Sequence, residues 1–185
     1  MIELEPQQFH SPGYFIRSAS QTFEAKGAEA LRHRVFVEEQ KIFPDHDRDP
    51  IDLIATHLVA LSTYAHDADQ VVGTVRIYED EPGLWWGSRL AVDPDFRAVG
   101  KLGAELIRLA VCTATGQGCR RFLAHVQLQN VVLFERLHWR VVGSVKLHGV
   151  PHARMAADLT HYPPFDDPRA GWYHIPAPRR GRVRS

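Results

Sequence analysis

The sequence predicts an α/β (α+β) protein: one mixed, mostly antiparallel sheet of about seven strands flanked by helices. Three observations predict it. Apolar runs bounded by turn residues recur along the chain, and amphipathic stretches with three- and four-residue spacing stand between them. After a helical start the order is three strands, helix, strand, helix and two strands. The third observation is the stretch from Leu90 to Gly103, in which an apolar strand passes through a Pro-containing turn into an arginine, two glycines and an amphipathic helix.

Phe15-Ile16-Arg17 reads as a short first strand. From Thr22 to Gln40 the pattern is helical, with Ala28, Leu31, Val35 and Phe36 on one stripe and charges between them. Lys41 to Asp52 is a polar loop containing Pro44 and Pro50. Thr56–Tyr64 and Val71–Tyr78 read as strands joined by a turn over residues 66–70. Leu84–Val92 is a further strand. Gly100–Thr115 is a helix that stops at Gly116-Gln117-Gly118, where glycine suits a left-handed cap. Arg121–Gln127 is a strand, Val131–His138 a short helix, and Trp139–Leu147 and His152–Leu159 a final pair of strands. From His161 the chain is rich in Pro and aromatics and ends in an Arg-rich tail. The division expected is a domain over residues 1–160 and an extension over 161–185.

Composition narrows the function. A chain of 185 residues is long enough for one domain with a proper core. Its formal net charge is zero, which argues against a dedicated nucleic-acid binder. No apolar run approaches the roughly 18–20 residues that span a bilayer. The acidic start, Met1-Ile2-Glu3-Leu4-Glu5-Pro6, lacks the basic and apolar regions of a signal peptide. Cys112 and Cys119 make a poor disulfide framework and read as buried thiols, so the expected compartment is the cytoplasm.

The stretch from Leu90 to Gly103 suits a pyrophosphate. Glycines let backbone approach the anion, the following helix offers its N-terminal N–H groups, and Arg97 adds a charge-assisted donor. Arg97-x-x-Gly100 resembles the Arg/Gln-x-x-Gly-x-Gly/Ala acyl-CoA loop of the GNAT superfamily of N-acetyltransferases. The last motif position holds Leu102, with Gly103 one residue late. Leu31–Gln40, containing Arg32-His33-Arg34-Val35-Phe36-Val37-Glu38-Glu39-Gln40, resembles the opening of the ElaA-like branch. Gly149-Val150-Pro151-His152 resembles the ending of that branch. Gln127–Asn130 followed by Phe134-Glu135-Arg136-Leu137-His138-Trp139 resembles the fifth strand and fourth helix of the fold. The wording is similar to the nitrogen-starvation N-acetyltransferases. The resemblance implies a GNAT fold splayed between strands 4 and 5, acetyl-CoA as co-substrate, direct acetyl transfer to a small-molecule or peptide amine, and a homodimer as one possible state. It implies a cofactor site made of Leu90, Ala91, Val92, Arg97, Ala98, Val99, Gly100, Lys101, Leu102, Gly103, Asn130 and Phe134. Many relatives carry at the Phe134 position a Tyr that protonates the leaving thiolate, and phenylalanine has no proton to give.

Such chemistry needs a base for the amine, a donor to the thioester oxygen and a fixed cofactor. The candidates for the base are His125, Glu38 and Glu39. His125 stands near the end of the fifth strand, and an imidazole titrates near neutral pH. The two glutamates stand at a helix end beside the expected acceptor pocket. Each has a bland alternative: a hydrogen-bonded strand histidine, or a solvated helix face. The oxyanion donor expected is a backbone N–H near Leu90–Val92.

Asp45, Asp47 and Asp49 fit the first positions of a calcium loop, but Pro50 stands where Gly is required and Thr56 where Glu is required, so that reading is excluded. The readings left are a solvated turn or an acidic lip that attracts a cationic amine. Eleven histidines show no metal-ligand spacing, and no metal is expected. Trp85 and Trp86 point to opposite faces of a strand, so at least one is packing. The alternatives to an acetyltransferase are a non-catalytic acyl-CoA-binding or sensor module, favoured by Phe134, and more remotely an acyl-homoserine-lactone-type synthase.

Overall fold

The computed structural model describes residues 12–99 and 101–177; Gly100 and the Arg-rich tail lie outside the described residues. The sheet has eight strands: β1 (Tyr14–Ser18), β2 (Thr56–Tyr64), β3 (Asp67–Glu81), β4 (Leu84–Val92), β5 (Arg121–Gln127), β6 (Trp139–Leu147), β7 (Val150–Ala157) and β8 (Trp172–His174). Their spatial order is β6-β7-β5-β4-β3-β2-β1-β8. Every pairing is antiparallel except β4 with β5.

Two helices sandwich the sheet. Helix α1 (Thr22–Arg32) lies on one face, where Ala28 and Leu31 pack against Val59, Leu61, Val71 and Ala91. Its start is held by Glu24, fully buried, whose carboxylate accepts from the N–H groups of Ser20 and Gln21 and from the Arg17 guanidinium. Helix α2 (Leu102–Gly116) covers the opposite face and joins the cluster that contains Ile16, Leu58, Ala60 and Val75. The short helix α3 (Val131–Arg136) follows β5.

The structure differs from the sequence reading in four places. The helix expected over residues 22–40 changes at Arg32 into a π-helical segment, His33–Glu39, in which the Gln40 N–H reaches back five residues to the Val35 carbonyl. The wider turn buries both Val35 and Phe36. The β2–β3 turn is only Ala65-His66, both at positive φ, so β3 begins at Asp67. That is the geometry of a two-residue hairpin turn, here without the Asn-Gly that usually signals it. Helix α2 begins at Leu102, because Lys101 takes a left-handed conformation (φ 52°). Finally, β8 adds an eighth strand by pairing with β1.

The feature that positions the site is a fork. Strands β4 and β5 pair only from Leu84 with Arg121 to Gly87 with Ala124. On the other side of β4, Arg76 pairs with Ser88 but Thr74 with Ala91, so β4 carries one extra residue. Arg89 sits at this bulge with φ 55°. A bulge bends its strand and sharpens its twist. The upper half of β4 thereby leaves β5, and the sheet opens.

Candidate functional site

A cavity of roughly 360 Å³ occupies the fork and reaches both faces of the sheet. On the α1 face its walls include Phe36, Phe43, Tyr78, Trp86, His125 and His148. On the α2 face they are apolar: Val75, Ile107, Ala110, Phe122, Phe134 and Trp139. Trp85 is in the core while Trp86 lines the cavity, as alternation along a strand requires. Leu90 and Asn130 also line it.

At the open end of the fork lies the loop from Asp93 to Lys101. The Asp93 side chain accepts from the Asp95 N–H and pairs with Arg34, and Pro94–Phe96 forms a single tight turn. The Val99 N–H is spent on the Phe96 carbonyl. Beyond it, α2 begins without a side-chain cap. Its first-turn N–H groups, those of Leu102, Gly103 and Ala104, have no partner inside the helix, an arrangement that suits an anion. A Cβ built on Gly103 would meet only Val92, at 3.8 Å. Leu102 itself is a core residue, and Ala91 and Val92 pack on opposite faces of the sheet. Ala98, Val99 and Lys101 are exposed. These features fit the pyrophosphate of a CoA thioester.

Arg97 is not free. Its Nε donates to the Val92 carbonyl at 3.0 Å, and its two Nη groups clasp Glu39 at 2.6 and 2.7 Å. The Glu39 carboxyl is held below its ordinary range, first by the hydrogen bonds from Arg97. Glu38 is exposed and lies 3.2 Å from the His33 ring. Neither glutamate borders the cavity. Next to them, the Gln40 side-chain oxygen accepts from Gln127 at the end of β5. The end of the π-helical segment therefore touches both arms of the fork.

His125 is one residue past the last β4–β5 rung. Its ring lies 4.8 Å from that of Trp86. Its Nε2 is buried and has no hydrogen-bond partner. Burial, then Arg154 and His152, push its pKa down, so the imidazole is neutral at neutral pH and able to take a proton.

The acidic loop is neither a solvated turn nor an acidic lip. Asp47, Asp49 and Asp52 are bound by three arginines from three different elements. Arg32 pairs with Asp47 at 2.6 Å and Asp52 at 2.7 Å. Arg76, only 1% exposed, clasps Asp49 with two bonds of 2.7 Å and reaches Asp52 at 2.8 Å. Arg89 reaches Asp47 and Asp49 and lies 4.7 Å over the Phe43 ring. Burial pushes the Asp52 carboxyl up, but the hydrogen bonds from Arg32, the Asp49 N–H and Arg76 outweigh it and leave it well below the usual range. The signal available in the sequence was alternate aspartates followed by isolated arginines in strands, which cannot be buried unpaired.

Both cysteines are free and buried, and burial pushes the Cys119 thiol up to about 11. Among the described residues no group of His, Cys, Asp or Glu is placed to hold a metal, and no helix is long and apolar enough to cross a membrane.

The fork, the uncapped α2 terminus and the bulged β4 define a fold type, and comparison identifies it. The model of the acetyltransferase (GNAT) family matches residues 26–139. The chain belongs to the GNAT acetyltransferase family. This GNAT protein is an acyltransferase whose family uses acyl-CoA as co-substrate. A candidate N-acetyltransferase from Lactobacillus plantarum is 25% identical, with a TM-score of 0.69 over 78% of this chain and 97% of that one. ElaA of Escherichia coli is 21% identical, with a TM-score of 0.64 over 81% of this chain and 100% of that one. The CoA-dependent acyl-homoserine lactone synthase BjaI shares the fold at 19% identity and a TM-score of 0.63, over 77% of this chain and 82% of that one. No curated protein matches by sequence.

Proposed function

We propose that the protein transfers an acetyl group from acetyl-CoA directly to an amine, with His125 as the base. The observation that carries this reading is the unpartnered His125 Nε2, buried at the fork where the cavity joins the two faces of the sheet. The pyrophosphate lies on the first-turn N–H groups of α2, supported by Lys101. The arm runs along Leu90–Val92 to the fork, with Asn130 and Phe134 on its α2 side. A main-chain N–H of Leu90–Val92 polarises the thioester oxygen. The amine enters on the α1 face between Phe36, Tyr78 and Trp86. His125 takes the ammonium proton, the neutral nitrogen attacks the thioester carbon, and the C–S bond breaks. The products are the amide and CoA. The attacking nitrogen sheds its second proton as the amide forms, and water relays it to the thiolate, since Phe134 has none to give. Arg97 holds the loop to the π-helical segment and does not reach for phosphate. The segments Leu31–Gln40 and Gly149–His152 support a place in the ElaA-like branch, near the nitrogen-starvation N-acetyltransferases. Two free, buried thiols suit a cytoplasmic enzyme.

Thiol release from acetyl-CoA across a panel of polyamines, amino acids, aminoglycosides and arylamines tests the reading. Binding without turnover on every amine would turn it toward a sensor. The phosphate site has its own test. Gly103→Asp adds a carboxylate in the first helical turn, where it favours the helix but repels pyrophosphate. Calorimetry should then show acetyl-CoA affinity falling at least tenfold with the melting temperature preserved. Unchanged affinity removes the phosphate assignment.

A further inference from the structure

We infer that the donor site also takes acyl groups longer than acetyl, whose tails lie in the apolar end of the cavity on the α2 face. The inference rests on the acyl-CoA reading above and deepens it. The fork supplies a ruler. A CoA arm entering from the α2 terminus meets the closed end of the fork at Gly87 and Ala124, the last rung at which β4 and β5 pair. The thioester carbon must stop there, within reach of His125 on the next residue. The cavity does not stop there. It continues on the α2 face past the Phe122 ring, which leans up against Gly87, to Trp139, whose partner Ala157 lies one step deeper in the sheet than the Leu123–Ala156 pair. An acetyl methyl does not reach that depth.

The extra space is walled by apolar side chains. Ile107 and Ala110 of α2 form its roof and Val75 one side. Its end is an aromatic wall in which Trp139 stands edge-on to Phe122 at 5.7 Å and to Phe134 at 5.0 Å. The one polar atom of Trp139, its Nε1, is turned away and donates to the Tyr162 hydroxyl. No charged side chain belongs to this wall, so it takes methylenes and rejects a polar or charged tail. Gly87 leaves room for the Phe122 ring at the head of this space. A Cβ there would stand 3.0 Å and 3.2 Å from two atoms of the Phe122 ring. The same wall explains the phenylalanine at position 134, which presents only ring carbon to a tail passing it.

The transfer chemistry is unchanged by the longer chain: the acyl C–S bond breaks, the C–N bond forms, and the amine proton leaves through His125. Each methylene buried on the wall should tighten binding about fourfold.

The test needs no acceptor. Free CoA, acetyl-CoA, butyryl-CoA and hexanoyl-CoA are titrated calorimetrically into the full-length protein. The expected result is rising affinity from acetyl through butyryl to hexanoyl. Ala110→Leu, which fills the roof, should bring the hexanoyl-to-acetyl ratio to near one. Gly87→Ala, whose methyl presses the Phe122 ring into this space, should lower the same ratio and serves where the larger change perturbs folding. Equal or falling affinity with chain length in the wild type overturns the inference and leaves acetyl transfer standing. A rising series that neither variant flattens places the tail elsewhere and overturns it as well. Failure to bind even free CoA would instead overturn the acyl-CoA reading beneath it.

Discussion

The arginine–aspartate cluster and the fork cavity share a wall, since Arg89 belongs to both, yet they treat polar groups in opposite ways. In the cluster every charge has a partner of opposite sign. Three guanidiniums meet three carboxylates, and Asp52 is bound by two arginines at once. In the cavity the atom proposed as the base, Nε2 of His125, has no hydrogen-bond partner. A satisfied group holds the loop at residues 47–52 against the strands. An unsatisfied one costs stability until a ligand completes it. The difference separates the part of the molecule that maintains shape from the part that waits for chemistry.

The comparison breaks most visibly at His125. His125→Gln should lower turnover by about 10²–10⁴ and leave CoA affinity intact. The wild-type rate should fall as pH drops below neutral, because protonation removes the acceptor lone pair, and the mutant should lose that limb of the profile. An unchanged pH–rate profile would move the base to a water chain. On the other side of the comparison, Arg76→Met leaves Asp49 and Asp52 partly uncompensated beside a buried site. Urea unfolding should show a loss of about 3–5 kcal/mol, the range for breaking one partner of a buried pair. A loss below about 1 kcal/mol would show that the cluster is hydrated like a surface pair.

A third measurement reads the cluster by titration. The Asp49 and Asp52 carboxyls are held below their ordinary range in the folded chain. Their contribution is therefore complete above the unfolded pKa of about 3.9 and drains away as pH falls below it. Urea midpoints of wild type and Arg76→Met should converge between about pH 4 and pH 2. Parallel curves would place the pairing energy elsewhere. The smallest effect belongs to the exposed pair. Arg97→Met removes the clasp on Glu39, but both side chains are about 40% exposed, and the loss should stay within about 1 kcal/mol and shrink in salt.

The sequence made the strands, α2 and the turn before it legible because each rests on local pattern. Leu102, Leu106 and Leu109 repeat on one stripe, and the same three are in the core. His125 was visible as a titratable residue near a strand end, but only the register of β5 against β4 places it one step past the last rung. Glu39 looked identical to a catalytic carboxylate by type and position. Its partner Arg97 is distant in the chain, and no local rule pairs them. The cluster escaped for the same reason, since its arginines come from α1, β3 and β4. The π-helical turn depends on Val35 and Phe36 both finding the core, which is a tertiary fact. Strand β8, only three residues long and preceded by a Pro-rich stretch, carries too little alternation to be read as a strand.

The pairing of β8 with β1 also sets the order in which the molecule is completed. Tyr14, Phe15 and Ile16 pair with His174, Tyr173 and Trp172, which follow far later in the sequence. A contact between such distant residues carries the loop-closure cost of everything between them. During synthesis the inner edge of β1 is covered by β2, while its outer edge, a row of bare N–H and C=O groups, stays open until Trp172–His174 emerge. Every strand between β1 and β8 is thus made while one adhesive edge stands open, and only β8 seals it.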